Sequence, residues 1–345
     1  MKNNIILPIL NVSNLTTQLK IGQQILTIVD QLSFSLYPGK TLAVVGESGC
    51  GKSLTALSIM GILPSPPAIH SKGQIFYKNQ DLLSLKEREM RKIRGSKIAM
   101  IFQDPMSALN PVYTIGNQLI EVVQLHLGLF GEDAWNRAKE MLEAVGIAQA
   151  EEKMLAYPHQ LSGGLKQRVM IAMALICEPD ILIADEPTTA LDVTIQAQVL
   201  DLIRSLQKKN QMALLLITHD MGVVAEMADD VIVMYMAQGV EKGPVMPIFY
   251  SPAHPYTIGL FASRPSLEND KEKLHPIPGQ VPSFQHIPKG CRFHPRCIYA
   301  MDKCKKDAVP DFEIENHLHY AKCWLHDNSP ESQEKLILLK SMHPS

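Results

Sequence analysis

The stretch VVGESGCGKS sets Gly46, Glu47, Ser48, Gly49, Cys50, Gly51, Lys52 and Ser53 in the order G-x-x-x-x-G-K-[ST]. Glycines at this spacing let backbone N–H groups turn inward around the β- and γ-phosphates of a nucleotide. Lys52 adds a point charge, and the Ser53 hydroxyl can ligate Mg²⁺. A plain turn between strand and helix is the competing reading. Context weighs against it: TLAVVG before the stretch is apolar and β-branched, and KSLTALSIMGIL after it has helical spacing and ends before Pro64.

A phosphate cradle needs a second carboxylate on the metal side, and DILIADEPTTALD supplies one. The apolar run from Ile181 to Ala184 reads as a buried strand that delivers Asp185 to its C-terminal end, where ligands of parallel α/β sheets collect. Asp185 can hold Mg²⁺ through water, completing a metal set of Ser53, Asp185 and, on grounds given below, Gln103. Glu186 beside it is placed to polarise an attacking water. An acidic pair after a strand is often only a solvated strand end; behind a phosphate cradle it gains a role.

These residues need a large α/β core to position them, and the chain is long enough for one. It has 345 residues, 46% hydrophobic and 20% charged, with a formal net charge of -2, an ordinary globular balance with no global attraction for nucleic acid. The first residues, MKNNIILPILNVSNLTTQLK, have an apolar run too short and too interrupted for a signal peptide. No run approaches the ~20 apolar residues that cross a bilayer, so membrane attachment is expected through a partner.

Between the two motifs, LSGGLKQRVMIAMALICEPD opens with Ser162, Gly163 and Gly164 and continues as a helix, a second N-terminus suited to phosphate. With this segment the sequence resembles the ATP-binding cassette (ABC) superfamily, in which the LSGGQ signature of one subunit closes over nucleotide held by its partner. The resemblance implies a sandwich of two cassettes, with Ser162, Gly163, Gly164 and Asp192 of TALD acting in trans on the partner's ATP. It also implies that Gln103 in IFQDP senses Mg²⁺ and links to the membrane partner. His219 in LLLITHD matches the switch histidine at the γ-phosphate. Two departures stand out: Leu165 occupies the fifth signature position in place of glutamine, and Ile25 and Leu26 lie where an adenine-stacking aromatic is expected. Adenine is therefore expected to be held weakly, mainly through its phosphates.

The implied fold is an α/β P-loop NTPase of the ABC cassette type: a parallel-sheet core, an antiparallel β subdomain, and a helical subdomain inserted at about 104–161. The cassette is expected over 1–258 and a Pro- and Cys-rich extension over 259–345. GPVMPIFYSPAHPYTIGL and HPIPGQVPSFQHIPKG are proline-rich and aperiodic, so they are expected to run extended and to wrap.

QDPMSALNPVYTIGNQL, SPAHPYT, PIPGQVPS and GCRFHPRC narrow the resemblance to the ATPases of bacterial dipeptide and oligopeptide permeases, over nearly the whole chain. It implies a sister ABC ATPase, two transmembrane permease subunits, a peptide-binding protein acting through them, and a peripheral place on the cytoplasmic face of the inner membrane. An importer ATPase for nickel, an opine or a glycoside is the alternative within the class. A soluble cassette acting on nucleic acid or ribosomes is the alternative outside it. The single phosphate loop, the ~110 residues from it to the signature and the lack of a basic patch weigh against the latter.

Cys291, Cys297, Cys304 and Cys323 crowd the extension without a C-x-x-C knuckle, which argues against a zinc ribbon. Four thiolates on loops can hold a [4Fe–4S] cluster, and peptide-permease ATPases of this type carry similar spacing. Zinc, with His294 or His319 substituting, and unmetallated thiols in a small core stay open. Cys50 and Cys177 lie apart and read as ordinary small residues.

Overall fold

The computed structural model of the chain describes residues 7–69, 71–104, 108–188, 193–263, 277–315 and 318–342. An antiparallel pair, β1 (Leu10–Ile21) and β2 (Gln24–Leu36), leads into the buried strand β3 (Thr41–Val45) and helix α1 (Lys52–Met60). Then come β4 (Lys72–Tyr77), β5 (Gln80–Asp81), α2 (Glu87–Ile93) and β6 (Ile98–Ile101). Helices α3 (Ile115–Leu127), α4 (Gly131–Ala144), α5 (Ala150–Leu155) and α6 (Gly163–Leu175) separate β6 from β7 (Ile181–Asp185). The core closes with α7 (Val193–Asn210), β8 (Ala213–Ile217), α8 (Met221–Met227), β9 (Asp230–Tyr235) and β10 (Gln238–Pro244). The remainder holds α9 (Val245–Tyr250), α10 (Pro255–Ala262), α11 (Asp302–Lys306), β11 (Phe312–Glu315), β12 (His319–Ala321) and α12 (Pro330–Met342).

The strands form a four-stranded sheet ordered β2-β1-β4-β5 and an eight-stranded one ordered β11-β12-β10-β9-β3-β8-β7-β6. In the larger sheet β9, β3, β8, β7 and β6 run parallel. Continuous apolar runs suit these strands because both faces are covered. Along β7, Ile181 and Ile183 pack with β1, β2 and α1, while Leu182 and Ala184 pack with the helices between β6 and β7. The chain runs outward from β3 to β6, returns through β7 and β8, and then crosses β3 to β9. The C-terminal end of β3 therefore sits where strand order reverses, the position at which open α/β sheets bind ligands.

The C-terminal region departs from the extended run expected of it. Val245–Tyr250 and Pro255–Ala262 are helices, and the second spans the boundary expected at 258. Prolines do not prevent them, because Pro247 and Pro255 fall in first turns, where no intrahelical N–H is required. β12 pairs antiparallel with β10, Glu241 opposite Ala321 and Lys242 opposite Tyr320, so the extension continues the main sheet. The segment 277–290 forms no helix or strand, in keeping with its composition.

A buried polar seam joins the two parts. Glu241 on β10 accepts bonds from the backbone N–H groups of Ala253 (2.7 Å) and His254 (2.9 Å), and it lies 2.7 Å from Nε2 of His319 on β12. His254 caps α10, its Nδ1 accepting the N–H of Tyr256 at 3.0 Å. Burial pushes the His254 imidazole down to about 4 from its ordinary 6.5, with His326 pushing the same way and Glu241 opposing. Below pH 6.5 the unfolded chain therefore takes up a proton that the folded chain refuses until about pH 4. This site makes stability fall as pH drops through that window, by ~3 kcal/mol in all. His254→Asn, which keeps a capping oxygen and removes the titration, is expected to flatten this part of the pH dependence of Tm; a slope unchanged from wild type would refute the assignment.

Candidate active site

The cradle is formed where β3 gives way to α1. Gly46 (φ 148°) and Gly51 (φ 110°) both lie in the region that favours glycine, and both are sterically confined. A Cβ at Gly46 would meet the Met234 carbonyl oxygen at 2.2 Å, and one at Gly51 the Ile28 carbonyl oxygen at 2.4 Å. Ser48 and Gly49 are exposed, and Cys50 is buried. Burial pushes the Cys50 thiol up, so it packs as a small inert group. The Lys52 ammonium is buried and donates to the carbonyl oxygens of Gly46 (2.8 Å) and Glu47 (3.1 Å). A phosphate is the ligand that would replace those carbonyls as its acceptor.

Across from α1, Ser53 Oγ donates to Asp185 Oδ1 at 3.0 Å. Hydroxyl and carboxyl oxygens at this separation are a hard-oxygen donor pair suited to Mg²⁺. Burial pushes the Asp185 carboxyl up and the neighbouring Glu186 charge adds to this, while Ser53 opposes; a cation here would favour the ionised form.

Glu186 is the meeting point of three strands. Its carboxyl group accepts from Gln103 Nε2 at 3.0 Å, past the end of β6, and lies 3.1 Å from His219 Nδ1, past the end of β8. Its backbone N–H donates to Ile217 O at 2.8 Å, and its φ of 48° is left-handed for a non-glycine residue. Strain of this kind persists where the surroundings over-determine it, as at functional sites. The structure thus joins Asp185 to Ser53 of the cradle and gathers Gln103 and His219 on Glu186.

Ser162 caps α6, its hydroxyl accepting the N–H of Leu165 at 3.4 Å. The side chain of Leu165 is not needed for that cap. Gly163 has open space around it, so the backbone at the start of α6 is accessible. Asp192 lies outside the described residues. A contact that motif reading missed ties this segment to the carboxyl pair: Gln167 Nε2 donates to the carbonyl of Pro187, directly after Glu186. No spacing rule signals such a contact. The neighbourhood expected to stack adenine holds Ile25, 58% exposed on β2 and aliphatic.

Cys291, Cys297, Cys304 and Cys323 do converge, in one apolar cluster with Ile258, Tyr299, Met301, Leu325 and Leu339. Burial pushes the thiols of Cys291 and Cys297 up to about 11 and about 12, and it also raises that of Cys323. Among the described residues, however, no three His, Cys, Asp or Glu side chains close into a metal-binding group. The [4Fe–4S] expectation finds no ready ligand set here, and the thiols line an apolar cluster. Of the substitute zinc ligands, His319 places Nε2 2.7 Å from Glu241 and His294 places Nδ1 2.9 Å from the Cys291 carbonyl oxygen.

The geometry predicts separable losses. Glu186→Gln is expected to cut steady-state ATP hydrolysis by roughly 10²- to 10⁴-fold, the usual worth of a general base, with nucleotide binding retained. Lys52→Ala is expected to weaken binding itself. Phosphate release and equilibrium binding measured on the same preparations would check this; equal loss of both in Glu186→Gln would remove Glu186 from the chemistry.

Comparison with known proteins agrees with this geometry. Residues 29–189 match the family described as ABC transporter, and residues 240–304 match the Oligopeptide/dipeptide transporter, C-terminal region. The chain is 49% identical over 323 residues to the dipeptide transport ATP-binding protein DppD of Bacillus subtilis (strain 168), covering 94% of this chain and 96% of that protein. It is 46% identical over 318 residues to the oligopeptide transport ATP-binding protein OppD of Haemophilus influenzae, covering 92% and 97%. A dimeric post-hydrolysis structure of the ATP-binding cassette MJ0796 with ADP and Pi superposes with a TM-score of 0.61 at 28% identity, over 68% of this chain and 98% of that one. The chain is an ABC-type ATPase and belongs to the family of oligopeptide and dipeptide transport ATP-binding proteins.

Proposed function

We propose that this chain is the ATP-hydrolysing subunit of a bacterial importer for di- and oligopeptides. The observation that carries the reading is the reach of the likeness. It covers the cassette and also the C-terminal region characteristic of peptide transporters, with peptide transport ATP-binding proteins as relatives over more than nine-tenths of the chain.

In this reading Gly46, Glu47, Ser48, Gly49, Cys50, Gly51, Lys52 and Ser53 cradle the phosphates of ATP. Ser53, Asp185 and Gln103 hold Mg²⁺, which when bound neutralises charge on the β- and γ-phosphates. Glu186 accepts a proton from the water that attacks the γ-phosphorus as the bond to ADP breaks, and His219 steadies Glu186 and the γ-phosphate. Ser162, Gly163, Gly164 and Asp192 complete the site of a sister ATPase. The dimeric state of the related cassette structure supports this sandwich.

Exposed Phe102, Val112 and Tyr113, beside Gln103 and before α3, offer an apolar seat for a short cytoplasmic helix of each permease subunit. Among the described residues no helix is long and apolar enough to cross a membrane. Attachment to the cytoplasmic face of the inner membrane through the permeases fits that observation, with a peptide-binding protein delivering substrate to them.

Uptake of a labelled dipeptide in cells carrying chromosomal Glu186→Gln tests the function. Loss of dipeptide entry with other solutes still entering is the expected result; undiminished entry would overturn it. For the cysteines we propose the [4Fe–4S] cluster, supported by the convergence of four thiols and requiring them to draw together from their described positions. Anaerobically purified protein is then expected to be brown, with iron and sulfide in near-stoichiometric amounts; colourless protein would overturn it.

A further inference from the structure

Glu47 lies inside the cradle, directly after Gly46, yet its side chain is engaged by the far end of the chain. Its carboxyl oxygens accept two bonds from one guanidinium, Arg296 Nη1 to Oε2 at 2.7 Å and Arg296 Nη2 to Oε1 at 3.1 Å. Its backbone N–H donates to the Tyr256 hydroxyl at 2.8 Å. A bidentate fork fixes direction as well as distance, so Glu47 is held at both its main chain and its side chain by residues beyond the core sheet.

Both anchors are buried. The Arg296 side chain is 4% exposed, and its Nε donates to the Pro278 carbonyl at 2.9 Å. Its guanidinium lies 5.8 Å from the Tyr235 ring and 5.9 Å from the Phe293 ring. Tyr256 is fully buried, with its ring centroid 4.7 Å from that of Tyr235 and 5.4 Å from that of Phe293. A buried guanidinium with a complete set of partners tolerates little displacement of any one of them.

The opposite side of Glu47 is bound only within the loop. Its carbonyl oxygen, with that of Gly46, accepts the Lys52 ammonium, and a bound phosphate would take that ammonium away. The loop then loses two internal bonds at the moment it must keep its N–H groups aimed at the ligand. Arg296 and Tyr256 supply an attachment that phosphate does not compete for.

We propose that Arg296 and Tyr256 are positioning residues of the nucleotide site, through which the C-terminal region from α10 onward holds the phosphate loop open, so that nucleotide affinity depends on the docking of that region. The inference rests on reading residues 46–53 as the cradle.

The test uses the purified full-length chain, Mg²⁺ and an N-methylanthraniloyl derivative of ATP as the probe. Arg296→Met and Glu47→Gln are each expected to raise the probe's Kd about tenfold, within the usual range for coupling between sites. The double variant should be no weaker than the weaker single one, because both remove the same link. Tyr256→Phe, which keeps the ring and removes the hydroxyl, should raise Kd about threefold, the worth of one neutral hydrogen bond. Lys303→Met is the control for a merely structural role. It breaks a pairing with Asp327, Ser329 and Ser332 wholly inside the extension, and should lower Tm without raising Kd.

An unchanged Kd in Glu47→Gln, whose partly exposed side chain makes it the variant safest to fold, would overturn the proposal. So would additive losses in the double variant, or a Kd raised as much by Lys303→Met. Failure of the wild-type chain to bind the probe would overturn the cradle reading itself, and this proposal with it.

Discussion

At the end of β3 two backbone carbonyls, Met234 O and Ile28 O, close on the chain so tightly that positions 46 and 51 have no room for a side chain. This constraint shapes everything chemical in the molecule. It reserves both positions for glycine, where the backbone turns at positive φ, and it sets those turns against β9 on one side and β2 on the other. The loop is therefore held by the core sheet together with the antiparallel sheet, and neither could be withdrawn without freeing it. Because β3 is buried throughout its length, its end is fixed relative to β7 and β8, and so are the carboxyl groups they deliver.

That fixed frame turns separate motifs into one site. Asp185 meets Ser53, while Glu186 receives Gln103 from beyond β6 and His219 from beyond β8. The left-handed backbone at Glu186 is the cost of turning its carboxyl toward both partners, and the bond to Ile217 O helps hold it there. Gln103 stands at the start of the helical insertion, directly after the exposed Phe102, so a side chain that meets Glu186 adjoins an apolar residue open to solvent.

The extension is part of the cassette's architecture rather than a tail. β12 adds to the main sheet, the Glu241 and His319 pair seals the seam, and Phe293 joins the same aromatic group as Tyr235 and Tyr256. Its cysteines lie in a small apolar cluster of their own, adjoining that aromatic group. Glu47 connects this whole assembly to the phosphate loop.

Much of the site was legible in the sequence because its chemistry is local. Gly46 to Ser53 and Ile181 to Glu186 each combine a strand and the residues at its end in a few consecutive positions, and Ser162 caps the helix it begins. The parallel sheet followed from apolar runs too uniform for a half-solvated strand. Other features could not be read in this way. β12 has three residues, too few to show alternation, and its pairing depends on β10, almost eighty positions earlier. Helices at Val245 and Pro255 were hidden by prolines whose harmlessness depends on where the first turn starts. The sequence by itself determined which residues can bind phosphate, hold a cation and activate water, since residue type and near spacing dictate those capacities. Only the tertiary structure decided that Arg296 and Tyr256 grip Glu47, that Gln167 reaches Pro187, and that four cysteines spread along the extension gather in one apolar cluster. Contacts between distant segments depend on how sheets and helices pack, and no short-range pattern in the chain encodes them.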